Sequence, residues 1–97
     1  MSSHDTPPVT VQHNTAEHRF EATMEGKLSV AEYEVSKGEI AFTHTFVPPE
    51  LRGRGIAEAL VRAGLEYAKS EKLRVIPACS YVATFIRRHR EYVPLTT

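Results

Sequence analysis

Phe20, Ala22 and Met24 occupy alternate positions within Arg19 to Glu25, the period of a strand with one buried face. Gly26-Lys27 follows as a turn, and Leu28 to Val35 reads as a second strand, so the two form a β-hairpin. Within that second strand the apolar parity slips from Leu28 and Val30 to Tyr33 and Val35, which calls for a bulge. Lys37-Gly38 marks the next turn. Glu39 to Val47 then alternates with Ile40, Phe42, His44 and Phe46 on one face, and is the expected central strand of an antiparallel meander. Val9 to His13 also alternates and predicts a short edge strand.

After Pro48-Pro49 the period changes. From Gly55 to about Lys69, the residues Ile56, Leu60, Ala63, Gly64, Tyr67 and Ala68 fall on one helical stripe, while Glu58, Arg62 and Glu66 form an i, i+4 ladder on the wet side. Leu73 to Pro77 is short and apolar, the pattern of a buried strand, and a right-handed crossover returns it parallel to Glu39 to Val47. A last helix from about Tyr81 to His89 turns Val82, Phe85 and Ile86 inward. The fold class is α/β: an antiparallel β-meander continuing through a β-α-β crossover, closed by a C-terminal helix. Residues 1–8 are polar and carry Pro7-Pro8, so they are expected to form a flexible tail ahead of one domain spanning residues 9–97.

With 97 residues the chain has room for one modest core and none for a separate substrate domain. Acids and bases balance at 12 each and are interspersed, which argues against nucleic acid or an anionic membrane as partner. Arg87, Arg88 and Arg90 read as solvated surface. The single cysteine fits a reducing compartment, and no apolar run reaches membrane-spanning length, so the expected address is cytoplasmic. His4, His13, His18, His44, His89 and Cys79 lack ligand spacing, and no metal is expected.

The chemistry concentrates where the meander meets the helix, in Val47-Pro-Pro-Glu-Leu-Arg-Gly-Arg-Gly-Ile-Ala57. Gly53 and Gly55 allow backbone angles that a Cβ disfavours. The first N–H groups of the following helix and the positive end of its dipole point into this loop, where a phosphate or pyrophosphate is the natural occupant. The nucleoside-triphosphate loop is excluded because Lys-Ser/Thr is missing, and the dinucleotide pattern fails at Glu58. The run Arg52-Gly53-Arg54-Gly55-Ile56-Ala57 resembles the acetyl-CoA loop of the GNAT superfamily of N-acetyltransferases, Q/R-x-x-G-x-G/A. Flanking segments extend the likeness over roughly Arg19 to Tyr92, to the compact YjdJ-type acetyltransferase domains of about 100 residues. Two departures stand out: Cys79-Ser80 stands in place of Cys-Pro and alters the start of the last helix, and His89-Arg90-Glu91-Tyr92 stands in place of His-Pro-Glu-Tyr and alters its end.

The resemblance implies a GNAT-like fold with acetyl-CoA as cosubstrate. Gly53, Arg54, Gly55, Ile56 and Ala57 would give backbone N–H groups to the pyrophosphate, and Arg52 or Arg54 a charged contact. Thr45, Phe46 and Val47 would run beside the pantetheine arm. Cys79, ahead of a helix, reads as a nucleophile or thiol gate as well as a packed wall residue. His44 reads as a base or as a structural histidine, and Tyr81 as a donor to the departing thiolate or as packing. The expected function is acetyl-CoA-dependent transfer to an amine by a monomer or weak homodimer, with the acceptor not encoded in any motif. The rival is a non-catalytic acyl-CoA sensor. An RNA-binding domain using the arginine clusters is disfavoured by zero net charge.

Overall fold

Residues 9–97 are described by a computed structural model, and the expected tail, residues 1–8, lies outside them. The elements run β1 (Gln12–Asn14), β2 (Arg19–Met24), β3 (Lys27–Ser36), β4 (Glu39–Phe46), a 3-10 turn (Pro49–Leu51), α1 (Ile56–Ser70), β5 (Arg74–Ile76), α2 (Ser80–Arg88) and a 3-10 helix (Arg90–Thr96). The five strands form one sheet in sequence order, antiparallel except for the parallel β4–β5 pair. The edge strand is shorter and later than the alternation of Val9 to His13 implied. Val9 and Val11 only pack, half-buried, against the core.

Two tight turns build the meander. Glu25 and Gly26 have φ of 53° and 74°, and Lys37 and Gly38 of 53° and 81°. Left-handed angles at both central positions define the type I′ turn, whose twist suits an antiparallel pair. The first turn sits one residue ahead of the expected Gly26-Lys27, because Lys27 already pairs with Met24.

The bulge is real but lies on the other strand. Val30 faces Phe46, Ala31 faces Thr45 and Glu32 faces His44, yet Tyr33 faces Phe42. Thr43 is therefore the extra residue, on β4. Strand β3 keeps one parity: Ser29, Ala31 and Tyr33 are buried on the inner face, while Leu28 and Val30 belong to the outer one. On β4 the extra residue exchanges the faces, since side chains alternate with period two. Ile40 and Phe42 point inward at 0% and 1% exposure, whereas His44 and Phe46 point outward, correcting the single face expected for all four.

Helix α1 covers the inner face. Its buried residues are Ile56, Leu60, Val61, Gly64, Leu65 and Ala68, with Ala63 and Tyr67 half-buried. The stripe is broader than expected because α1 is flanked by α2 and the C-terminal 3-10 helix as well as by the sheet. Gly64 is required by close approach: a Cβ there would stand 2.7 Å from Cε1 of Phe42. Helix α2 turns Val82, Phe85 and Ile86 inward as expected. It lies beside α1, with the Arg62 guanidinium 5.3 Å from the Phe85 ring centroid. The 3-10 helix was not indicated by periodicity; it buries Tyr92, whose hydroxyl donates to Glu66 at 2.7 Å. Among the described residues, no helix is long and apolar enough to cross a membrane.

Candidate functional site

Strand β5 accompanies β4 for only three registered pairs, Glu39 with Arg74, Ile40 with Val75 and Ala41 with Ile76. The Ala78 N–H then turns back to the Ile76 carbonyl, and one last link, from the Cys79 N–H to the Phe42 carbonyl at 2.8 Å, precedes the separation. Past that point β4 runs on through Thr45 and Phe46 without a neighbour on this side. A cleft of about 420 Å³ opens there. Thr45, Phe46, Val47, Arg52, Gly53, Gly55, Ile56, Ala57 and Tyr81 line it, together with Leu51 and Glu58, which the motif did not single out.

The loop enters α1 through two left-handed glycines, Gly53 at φ 84° and Gly55 at φ 80°. Gly55 is the N-cap and no side chain caps the helix. The first backbone bond of α1 runs from the Ala59 N–H to the Gly55 carbonyl at 3.0 Å, so the N–H groups of Ile56, Ala57 and Glu58 have no partner within the helix. A Cβ at Gly53 or Gly55 would meet nothing within 4 Å, which places open space over the loop and makes backbone angle the reason for glycine. These features fit an anionic group. Glu58 brings a negative charge to the same rim, and is tied off by Arg62 at 3.3 Å and by the His89 ring at 3.8 Å.

The two loop arginines part company. Arg52 donates through Nε to the Val47 carbonyl at 2.9 Å, fastening the loop to the end of β4 beside the cleft. The Arg54 side chain leaves the cleft and pairs with Glu25 of the first hairpin turn at 2.7 Å. Lys27 and Glu50 make a parallel pair at 3.4 Å.

Cys79 is the N-cap of α2, and its sulfur lies 3.5 Å from the Thr45 hydroxyl, across the point where the strands separate. Burial pushes this thiol up, but donation from the Thr45 hydroxyl and from the N–H groups of Val82, Tyr81 and Thr45 outweighs it and leaves the thiol below its ordinary range. Tyr81 moves the other way: burial, then the Glu58 charge, hold its phenol above the ordinary value, against a smaller opposing effect of Arg88. His44 is exposed on the outer face, away from Thr45 and Cys79, and does not line the cleft. The strand alternation that placed it among apolar neighbours fails at Thr43. Among the described residues, no group of three or more His, Cys, Asp or Glu is placed to hold a metal.

A sequence model of the family described as GCN5-related N-acetyl-transferase matches residues 19–95. Protein NATD1 of Bos taurus is 34% identical over 85 residues, covering 84% of this chain and 75% of the relative, and Protein NATD1 of Homo sapiens is 32% identical over 85 residues, 84% and 75%. The Uncharacterized N-acetyltransferase MJ1207 of Methanocaldococcus jannaschii is 44% identical over 43 residues, 43% of this chain and 19% of that one. Among solved structures, a Staphylococcus aureus protein described as GCN5-like superposes with a TM-score of 0.71 at 26% identity. The superposition covers 90% of this chain and 86% of that one.

Proposed function

Because the chain belongs to the GCN5-related N-acetyltransferase family, we propose that residues 9–97 act as one domain that holds acetyl-CoA in the β4–β5 cleft and passes its acetyl group to an amine. The observation that carries this reading is the coincidence of the strand separation with the uncapped start of α1: a slot beside free backbone groups ends on an anion cradle. The pyrophosphate would accept from the backbone N–H groups of Gly53 to Ala57, with Arg52 as the nearer charge. Thr45, Phe46 and Val47 offer an unpaired strand edge to the pantetheine amides.

For transfer, the amine nitrogen bonds to the thioester carbon, the carbon–sulfur bond breaks, and the ammonium proton must leave. Tyr81, which keeps its proton at neutral pH, is suited to protonate the departing thiolate. Cys79, held toward its thiolate by Thr45, is suited to take the acetyl group first in a two-step route. His44 stands exposed on the outer face and outside the cleft, so in this reading the ammonium proton passes to solvent. Calorimetry with CoA tests the cradle. Wild type should bind and Gly55→Glu should not, because the new side chain sets a carboxylate at the pyrophosphate position; equal affinities would overturn the assignment. CoA binding without transfer to any amine would replace the enzyme with the acyl-CoA sensor.

A further inference from the structure

Both helices lie against the inner face, and among the described residues none covers the outer one. That face is not uniformly polar. Phe46, which also lines the cleft and is 42% exposed, stands beside Val30 on β3, itself buried at 8%, and Val30 beside Glu21 on β2, so one row crosses three strands with its exposed apolar surface at the Phe46 end. Leu28, 40% exposed, extends the apolar strip along β3. The row ends at a depression of about 240 Å³ whose lining includes Gln12, Glu21 and Thr23. From β4 to β2 is about 10 Å, at roughly 4.8 Å per strand spacing.

On this face the acids Glu21, Glu32, Glu34 and Glu39 outnumber the bases Arg19 and Arg74. Arg19 pairs with Glu21, and Arg74 with Glu39. Glu32 and Glu34, two residues apart on the outer side of β3, form no salt bridge among the described residues; Glu32 stands between Arg19 of β2 and His44 of β4, and Glu34 faces Ala41.

We propose that this outer face is the acceptor-docking surface, and that the acceptor is a protein segment presenting a lysine amine from a stretch of basic and apolar residues. The inference rests on the acetyl-CoA reading above. Continuity carries it first: Phe46 belongs both to the cleft and to the strip, so a chain lying across the strands delivers an amine to the cleft. Charge complementarity carries it second, since Glu32 and Glu34 favour cationic neighbours of the reacting lysine. Shape decides between acceptors. A small amine needs a concave site that buries most of its surface, whereas Leu28 and Phe46 stay 40% and 42% exposed on the outer face and the depression there lies two strands from Phe46, a distance that suits an extended peptide.

The full chain with acetyl-CoA is offered three probes: short peptides with one central lysine flanked by arginine and leucine, matched peptides flanked by glutamate and leucine, and putrescine. The arginine-flanked peptides should be acetylated with the highest kcat/KM. Glu32→Lys/Glu34→Lys should raise their KM on the order of tenfold and weaken its salt dependence. CoA affinity and melting temperature should not change. Leu28→Asp should raise the same KM in a background that keeps both glutamates. Preference for putrescine, or equal use of the two peptide sets, overturns the docking surface while leaving the enzyme reading intact. An unchanged peptide KM in both variants does the same. Failure of the wild type to bind CoA removes the enzyme reading itself, and this inference with it.

Discussion

The two halves of β4 face opposite tasks within eight residues. From Glu39 to Phe42 the strand is walled on both sides, by β3 and by β5, and its inward side chains Ile40 and Phe42 are sealed under α1. From Thr43 onward it loses β5 and exchanges its faces at the bulge. Phe46 is left partly in water, and Thr45 is turned toward Cys79. The first half spends its backbone hydrogen bonds on the sheet. The second half keeps groups free for something else. Stability and ligand binding are thus separated along one strand, and substitutions on the two sides of Thr43 should have different consequences.

The largest stability effect is expected at Phe42. Phe42→Ala should cost about 3–5 kcal/mol, the usual cost of emptying a buried aromatic site, a large part of the roughly 5–15 kcal/mol of a small domain. Phe46→Ala should cost half of that or less, since 42% of Phe46 already lies in water. Urea unfolding of both variants measures the contrast, and equal costs would dissolve the division of the strand.

Gly64→Ala comes next. The added methyl would lie 2.7 Å and 2.9 Å from two carbons of the Phe42 ring, and that ring is 1% exposed with nowhere to retreat. Overpacking of about 1–3 kcal/mol is offset by roughly 1 kcal/mol of improved helix propensity, leaving a net loss of about 0–2 kcal/mol, at the upper end because the contact falls below 3 Å on a buried ring. Combined with Phe42→Leu, the penalty at Gly64 should shrink. Additive effects in the double variant would mean that the ring is not the obstacle.

The closed half was the legible one. Hairpin turns announce themselves through Gly26 and Gly38, and the inward Phe20, Ala22, Ile40 and Phe42 follow simple alternation. The loop was legible as well, because left-handed angles before a helix call for glycine at Gly53 and Gly55. The bulge was not, because Thr43 is a good strand former and no glycine marks it. One unseen residue was enough to carry His44 and Phe46 onto the wrong face. On β3 the error ran the other way: the inner face uses the small Ser29 and Ala31, while the larger Leu28 and Val30 face outward, so size misdirected the parity. That outer apolar strip is what an uncovered sheet would hide if nothing docked on it. Direction of the Arg54 side chain was also invisible, since its partner Glu25 lies 29 residues away in sequence. Tyr92 was missed because a 3-10 segment containing Pro94 has no 3.6 period.

The smallest effect is expected in the open half, at Thr45, and it should show in chemistry before it shows in stability. The Thr45 hydroxyl is one of the donors that hold the Cys79 thiol below its ordinary range against burial. Thr45→Val keeps the shape and removes that donor, so burial weighs more and the thiol should move up. Alkylation by iodoacetamide follows the thiolate fraction, and at neutral pH it should slow by roughly two- to tenfold, the equivalent of one hydrogen bond of about 0.5–1.5 kcal/mol. Thr45→Ser should restore the rate. The pH dependence has a definite sign. A thiol whose folded value is depressed contributes stability that is present above its unfolded value and is lost as pH falls through the folded one. The wild-type advantage over Thr45→Val should therefore widen from neutral toward alkaline pH. An alkylation rate that is unchanged in Thr45→Val would mean that the hydroxyl does not donate to sulfur, and the thiolate would then rest on the backbone N–H groups at the start of α2. A restored hydroxyl in Thr45→Ser without a restored rate would point to packing at the strand separation instead of hydrogen bonding.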